Sequence, residues 1–265
     1  MTAELTRDEA AHAALRARQG AGARYDAAAA PTRTLSWARR GTAYFARKLN
    51  ELRDEDLAAP SLVPGWTRRH VIAHIGYHAR ALARLVEWAR TGIEQPICAS
   101  EAARAAEIAL GATLPAQALR NLFHHAEVHL SVEWRDLTDA AWEARVRDLD
   151  GRPLPIRATP AMRAREVWIG AADLDNGGSF SDFPPALIDA LIAEAALALE
   201  GHAALVLAPG DRAAPVPIGR NGPTVSGSAA DIARWLTGRG AYRLDCAGGS
   251  LPILPHLAAP LSIEG

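Results

Sequence analysis

The chain has 265 residues, 49% of them hydrophobic, and its formal net charge at pH 7 is −1. A length above the usual single-domain size predicts one large or two modest domains. The balance of charges argues against a protein that mainly binds nucleic acid or an anionic membrane surface, because such binding depends on an excess of Lys and Arg.

The cysteines and the apolar segments indicate where the protein works. Cys98 and Cys246 are the only two cysteines, so a disulfide framework is not expected. No stretch approaches the roughly 20 apolar residues of a membrane span. The first twenty residues carry charges throughout and lack the apolar core of a secretory signal. We therefore expect a cytoplasmic protein without a membrane partner.

The first two thirds of the chain are predicted to be helical. Residues 1–30 form an Ala-rich extension that Pro31 ends, because proline blocks a continuing helix. Apolar spacing, N-capping residues and terminal glycines then predict four principal helices with short joins, an up-down bundle pattern. A shorter helix is predicted over residues 101–111, and Asp150-Gly151 marks a turn. The principal helices are predicted at 34–58, 67–91, 115–138 and 161–174.

The remainder of the chain mixes helices with strands. A helix follows Pro184-Pro185, and another begins at Ser228, a typical N-cap, and ends at Gly238. Short strand-like runs lie before and after the second helix, at 203–209, 215–218, 223–227 and 242–249. We therefore predict an α+β protein, in which a helical bundle at 31–178 precedes a smaller α/β domain at 179–265.

The histidines are the first candidates for chemistry. His70, His74 and His78 lie four residues apart and form one stripe on a helix. Two histidines at this spacing can bind a metal ion, but partly buried, hydrogen-bonded histidines give the same pattern. The sequence contains no Gly-rich phosphate loop, no Cys-x-x-Cys pair and no G-x-S-x-G motif.

Several motifs in a fixed order carry a resemblance to a known family. PGWTRRHVIAHIGYHARAL and MRAREVWIGAADL, which is the most specific, lie in the bundle, and TVSGSAADIARWLTGRG lies in the second domain. Together with the segments between them, they make residues 35–243 similar to the DinB-like, mycothiol-dependent maleylpyruvate isomerases. The resemblance implies a DinB-like four-helix bundle that holds a divalent metal, usually zinc, followed by a smaller α/β domain.

The resemblance also implies a reaction and its residues. Members of the family isomerise maleylpyruvate to fumarylpyruvate in gentisate breakdown, with mycothiol as the thiol cofactor. A metal-bound thiolate would add to the cis double bond, the resulting single bond would rotate, and elimination would give the trans product. By resemblance, His74 and Glu166 are metal ligands, and Arg104 and Arg239 serve catalysis and substrate binding. Arginine suits a dicarboxylate because its planar fork binds carboxylate at two points.

One position departs from the family pattern. The third metal ligand is a histidine four residues after the glutamate, and this chain has Gly170 there. Catalytic zinc commonly has three protein ligands and one open position. His78 could replace the missing ligand, the metal could be weak or absent, or the glycine could be a change introduced into an intact enzyme. Besides isomerisation, thiol S-transfer and non-catalytic binding of a small molecule therefore stay open.

Overall fold

The computed structural model describes residues 25–254, which form a four-helix bundle followed by a smaller region of helices and sheet. The predicted α+β architecture is thereby confirmed. Most of the predicted extension at 1–30 lies outside the described residues, and the predicted domain limits stay predictions. No helix within residues 25–254 combines the length and the apolarity needed to cross a membrane.

Six helices make up the bundle and its connections. In chain order, α1 spans Thr32–Asn50, α2 Arg68–Thr91, α3 Glu101–Gly111, α4 Ala116–Asp136, α5 Asp139–Trp142 and α6 Thr159–Asp173. The bundle proper consists of α1, α2, α4 and α6, with α1 packed on α6 and α2 packed between α4 and α6. The four principal helices are thus those that the sequence predicts.

The first helix is shorter than the prediction of 34–58, which was wrong about where it ends. α1 ends at Asn50, and a separate 3₁₀ turn follows at Asp54–Ala58. The backbone N–H of Arg53 donates to the Asp56 carboxylate at 3.1 Å, as in a capping box. This acidic side chain begins a new turn, because carboxylates favour helix starts and satisfy free N–H groups there.

The limits of α2 determine where the three histidines of the stripe lie along the helix. Thr67 precedes the helix, and its backbone N–H donates to His70 Nδ1 at 3.2 Å. Gly92 ends the helix with a φ of 73°, a left-handed conformation that glycine adopts without strain. His70 therefore caps the helix, whereas His74 and His78, on later turns, are buried in the bundle.

The strands form two small sheets, one after α5 and one after the last helix of the bundle. A hairpin of β1, Arg145–Arg147, and β2, Pro153–Pro155, joins α5 to α6. Beyond the bundle follow α7 Pro185–Leu199, β3 Leu205–Pro209, β4 Val216–Ile218, β5 Thr224–Gly227, α8 Ala229–Leu236 and β6 Asp245–Cys246. Their sheet has the order β4-β3-β5-β6, and only the β3–β5 pair is parallel.

α6 is the helix that positions the candidate site. It is buried along nearly its whole length and carries Arg163, Glu166 and Asp173 into the protein interior. Buried charges are costly unless they are paired or hydrogen-bonded, so each requires partners from other elements. Arg163 donates from Nη1 to the Ile75 carbonyl on α2 at 2.7 Å. Burial lowers the pKa of Arg163 to about 10, and it stays charged at neutral pH.

Candidate functional site

The structure brings His74 of α2 and Glu166 of α6 into direct contact. The distance between His74 Nε2 and Glu166 Oε2 is 2.7 Å, although the two residues are 92 positions apart in sequence. Only 4% of His74 and 8% of Glu166 are exposed to solvent. The two residues that family resemblance implies as metal ligands are therefore neighbours inside the bundle.

A second charged side chain holds the other oxygen of this carboxylate. Arg165 Nη1 lies 2.7 Å from Glu166 Oε1, and Arg165 Nε lies 3.0 Å from Glu194 Oε1 on α7. Burial alone would raise the pKa of Glu166, but the hydrogen bond from His74 and the charge of Arg165 outweigh burial. The pKa of Glu166 is thereby held well below its usual range, and the side chain is ionised at neutral pH.

His78 lies one helical turn beyond His74 and is also buried. The ring centroids of the two histidines are 6.0 Å apart, and His78 Nδ1 has no hydrogen-bond partner among the described residues. Burial lowers the pKa of His78 well below its usual value, in spite of the nearby charge of Glu166. His78 is therefore a neutral imidazole at pH 7, with a buried nitrogen that no described side chain or backbone group contacts by a hydrogen bond.

A cavity between α2 and α3 opens beside the two histidines. Arg104 of α3, implied by the resemblance to bind substrate, lines this cavity and lies 3.7 Å from Glu101. Sequence reasoning missed other side chains of the cavity wall, two of which lie on the same helix as the histidines. They are Tyr77 and Arg84 on α2, and Cys98 in the loop before α3. Burial raises the pKa of Cys98, so its thiol is protonated at neutral pH.

Arg239 lies apart from this group. Its guanidinium makes two hydrogen bonds to the carboxylate of Asp173, of 2.9 Å and 2.7 Å. It also donates to the backbone carbonyl of Thr237. Arg239 is not among the residues that line the cavity between α2 and α3. The structure thus brings together His74, Glu166 and Arg104 of the four predicted site residues, and it places Arg239 against the end of α6.

The described residues do not fit a metal centre with three protein ligands. Within residues 25–254, no three His, Cys, Asp or Glu side chains are grouped so as to hold an ion. At the position implied for the third ligand, Gly170 has no side chain, and the adjacent space contains Ile75. His74 and Glu166 supply two donors, whereas catalytic zinc commonly has three.

Comparisons with known proteins agree with the fold and the motifs. The family model "Mycothiol maleylpyruvate isomerase N-terminal domain" matches residues 38–175. A crystal structure of a mycothiol-dependent maleylpyruvate isomerase is similar at 38% identity and a TM-score of 0.81, covering 84% of this chain and 95% of that chain. A histidine-to-alanine mutant of such an enzyme matches with the same values. No curated protein sequence matches the chain.

Proposed function

Since this chain belongs to the mycothiol maleylpyruvate isomerase family, we propose that it is a thiol-dependent cis–trans isomerase of maleylpyruvate or a similar unsaturated dicarboxylate. The observation that carries the proposal is the similarity to such an isomerase over 84% of the chain, at 38% identity. The buried His74–Glu166 pair beside a cavity lined by Arg104 supports it.

The proposed reaction has three steps: addition of a thiolate, rotation about a carbon–carbon single bond, and elimination of the thiolate. The thiolate sulfur forms a bond to one carbon of the cis double bond, and the electron pair moves into the conjugated carbonyl group as an enolate. The remaining single bond rotates, the enolate collapses, and the carbon–sulfur bond breaks to release the trans product and the thiolate. No electrons are gained or lost overall, and the thiol is regenerated.

The cavity residues have distinct tasks in this scheme. The thiol proton needs an acceptor, and this role falls to His74, the imidazole on the cavity wall that is paired with the Glu166 carboxylate. Arg104 and Arg84 offer guanidinium groups to the carboxylates of the substrate. The cofactor is mycothiol or a related low-molecular-weight thiol. Because the described residues do not fit a three-ligand zinc site, no step is assigned to a metal.

The physiological setting is part of the same proposal. We place the enzyme in the cytoplasm and in gentisate breakdown, the role of the family. Cys98 and Cys246 are both free cysteines, as is usual for a protein in a reducing compartment. Its partners are then small molecules, a thiol and a dicarboxylate, without nucleic acid or membrane.

The test is an absorbance assay of maleylpyruvate isomerisation with and without mycothiol. We expect thiol-dependent turnover, with kcat/KM reduced about 100-fold or more in Arg104→Met. Arg104→Lys keeps the charge but not the planar fork, and it should retain part of the activity. If purified, folded protein turned over no unsaturated diacid with any added thiol, the isomerase proposal would be wrong.

The glycine at position 170, where the family has a metal ligand, is also consistent with two other functions. A chain that has lost a metal ligand of its family could bind a thiol or a small anion without catalysis. It could also join the thiol to an electrophile, as a thiol S-transferase does. Mass spectrometry of the reaction mixture separates these outcomes. Free isomerised product supports the isomerase, a product that retains the thiol supports the transferase, and thiol binding without product supports the binder.

A further inference from the structure

We infer that His74 and Glu166 form a direct hydrogen-bonded pair in the working protein rather than part of a three-ligand metal centre, and that Ile75 fills the space of the third ligand. The inference concerns metal content and does not depend on the proposed isomerase activity. It rests on the surroundings of Gly170, on the partners of Glu166 and on the position of His78.

The surroundings of Gly170 are apolar and closely packed. Gly170 lies four residues after Glu166, so both positions share one face of α6. A Cβ at this position would lie 2.8 Å from Ile75 Cδ1 and 3.5 Å from Phe45 Cε2. The 2.8 Å approach is closer than van der Waals contact, so a side chain at 170 requires Ile75 to move. Ile75 and Phe45 are fully buried, and their packing takes the place of a polar ligand.

Both oxygens of the Glu166 carboxylate already have a charged or hydrogen-bonding partner. One oxygen is bound to His74 Nε2 and the other to Arg165, each at 2.7 Å. A metal ion bound between His74 and Glu166 would have to break their hydrogen bond. With two protein ligands in place of three, there is less coordination to offset that loss.

His78 provides the alternative that the experiment must exclude. Its buried Nδ1 lacks a hydrogen-bond partner within residues 25–254, and the centroid of its ring lies 6.0 Å from that of His74. If His78 completed a metal centre, the wild-type chain would hold an ion that depends on this residue. If Ile75 has closed the site, the wild-type chain would hold none, and making room for a histidine at 170 would restore binding.

The experiment measures zinc bound by the purified full-length chain. Each variant is equilibrated with Zn²⁺, freed of unbound metal by gel filtration and analysed by mass spectrometry for zinc per chain. The affinity follows from competition with a chelating dye. The variants are Gly170→His, the double substitution Ile75→Ala with Gly170→His, His74→Ala and His78→Ala.

We expect much less than one zinc per wild-type chain and a modest gain for Gly170→His. The double variant should bind about one zinc, at least about 100-fold more tightly than the wild type. Ile72 is equally buried on the same helix, so Ile72→Ala with Gly170→His is the matched control for loss of a core isoleucine. This control should not bind more zinc than Gly170→His alone. Circular dichroism verifies that every variant is folded.

Two results would overturn the inference. The first is one tightly held zinc per wild-type chain that is lost in His78→Ala or His74→Ala. The second is a folded double variant that binds no more zinc than the Ile72 control. Because zinc is counted without any turnover, an inactive protein would refute the proposed isomerase function and leave this inference intact.

Discussion

The carboxylate of Asp173 and the guanidinium of Arg239 form a buried, two-point ion pair that ties the last turn of α6 to the residues just after α8. The two hydrogen bonds measure 2.9 Å and 2.7 Å, and about 5% of each side chain is exposed. A residue expected to bind substrate thus already has a carboxylate partner within the protein. Its contribution to stability can be measured separately from any contribution to catalysis.

Arg239→Met should lower the free energy of unfolding by about 3–5 kcal/mol, because it leaves the Asp173 carboxylate buried without its partner. Adding Asp173→Leu should recover part of this loss, since both charges are then removed. Urea denaturation of the two variants measures both effects. If Arg239 also contacts the substrate, Arg239→Lys should have a lower kcat/KM than the wild type even under conditions in which the variant is fully folded.

The ion pairs of Glu166 predict a second stability difference. Glu166→Gln removes a buried charge that both His74 and Arg165 contact, and should cost about 2–3 kcal/mol. Glu194, the outer partner of Arg165, has a side chain that is 53% exposed. Glu194→Gln should therefore cost less than about 1 kcal/mol. Equal costs in urea denaturation would contradict the view that the inner pair is the stabilising one.

At Gly41, α1 packs closely against α6. A Cβ at this position would lie 2.5 Å from Val167 Cγ2 and 2.6 Å from the Trp168 ring. The Trp168 indole is held by a hydrogen bond to the Trp37 carbonyl at 3.0 Å, so it has little freedom to move. Although alanine is favoured over glycine within a helix by about 1 kcal/mol, we expect Gly41→Ala to destabilise the protein by about 1–3 kcal/mol.

The control for this substitution is Arg40→Ala, one residue earlier at an exposed position of the same helix. It should change the free energy of unfolding by less than about 0.5 kcal/mol. Thermal denaturation of both variants measures the difference. A Gly41→Ala variant as stable as the wild type would mean that α1 and α6 separate readily at this point.

Tyr44 predicts a dependence on alkaline pH. Burial and the 2.5 Å hydrogen bond from its hydroxyl to Asp182 raise the pKa of Tyr44 to about 12. In the unfolded chain a tyrosine ionises near pH 10. Between about pH 10 and pH 12 the unfolded state therefore releases a proton that the folded state keeps, so stability falls as the pH rises. Below pH 10 this contribution is fully present.

Tyr44→Phe should remove this part of the pH dependence. At pH 9 it should also cost about 1–2 kcal/mol, because the hydrogen bond to Asp182 is lost. Urea denaturation at pH 9 and pH 11 gives both quantities. Tyr242→Phe, at an exposed position, retains Tyr44 and should retain the wild-type difference between the two pH values. If Tyr44→Phe kept that difference as well, another group would be responsible.

The order and type of the longer helices and strands follow from local sequence. Thr67 and Gly92 mark the limits of α2, and Ser228 marks the start of α8, because capping residues act on the backbone beside them. End points were less certain. The apolar pattern of α1 continues past Asn50, but the carboxylate of Asp56 caps a separate turn. His74 and Glu166 could also be identified from the sequence, because each lies within a short motif that resembles the family.

Which of these side chains are in contact depends on how the helices pack in three dimensions. His74 and Glu166 are 92 positions apart in sequence but lie 2.7 Å from each other. Arg239 binds Asp173 and does not line the cavity. The space beside Gly170 contains Ile75, and no local sequence pattern predicts this contact. Such contacts depend on how whole helices pack, and packing reflects the shapes of many side chains at once. Local sequence therefore fixed the helices and strands, whereas their packing fixed the partners of each charge in the site.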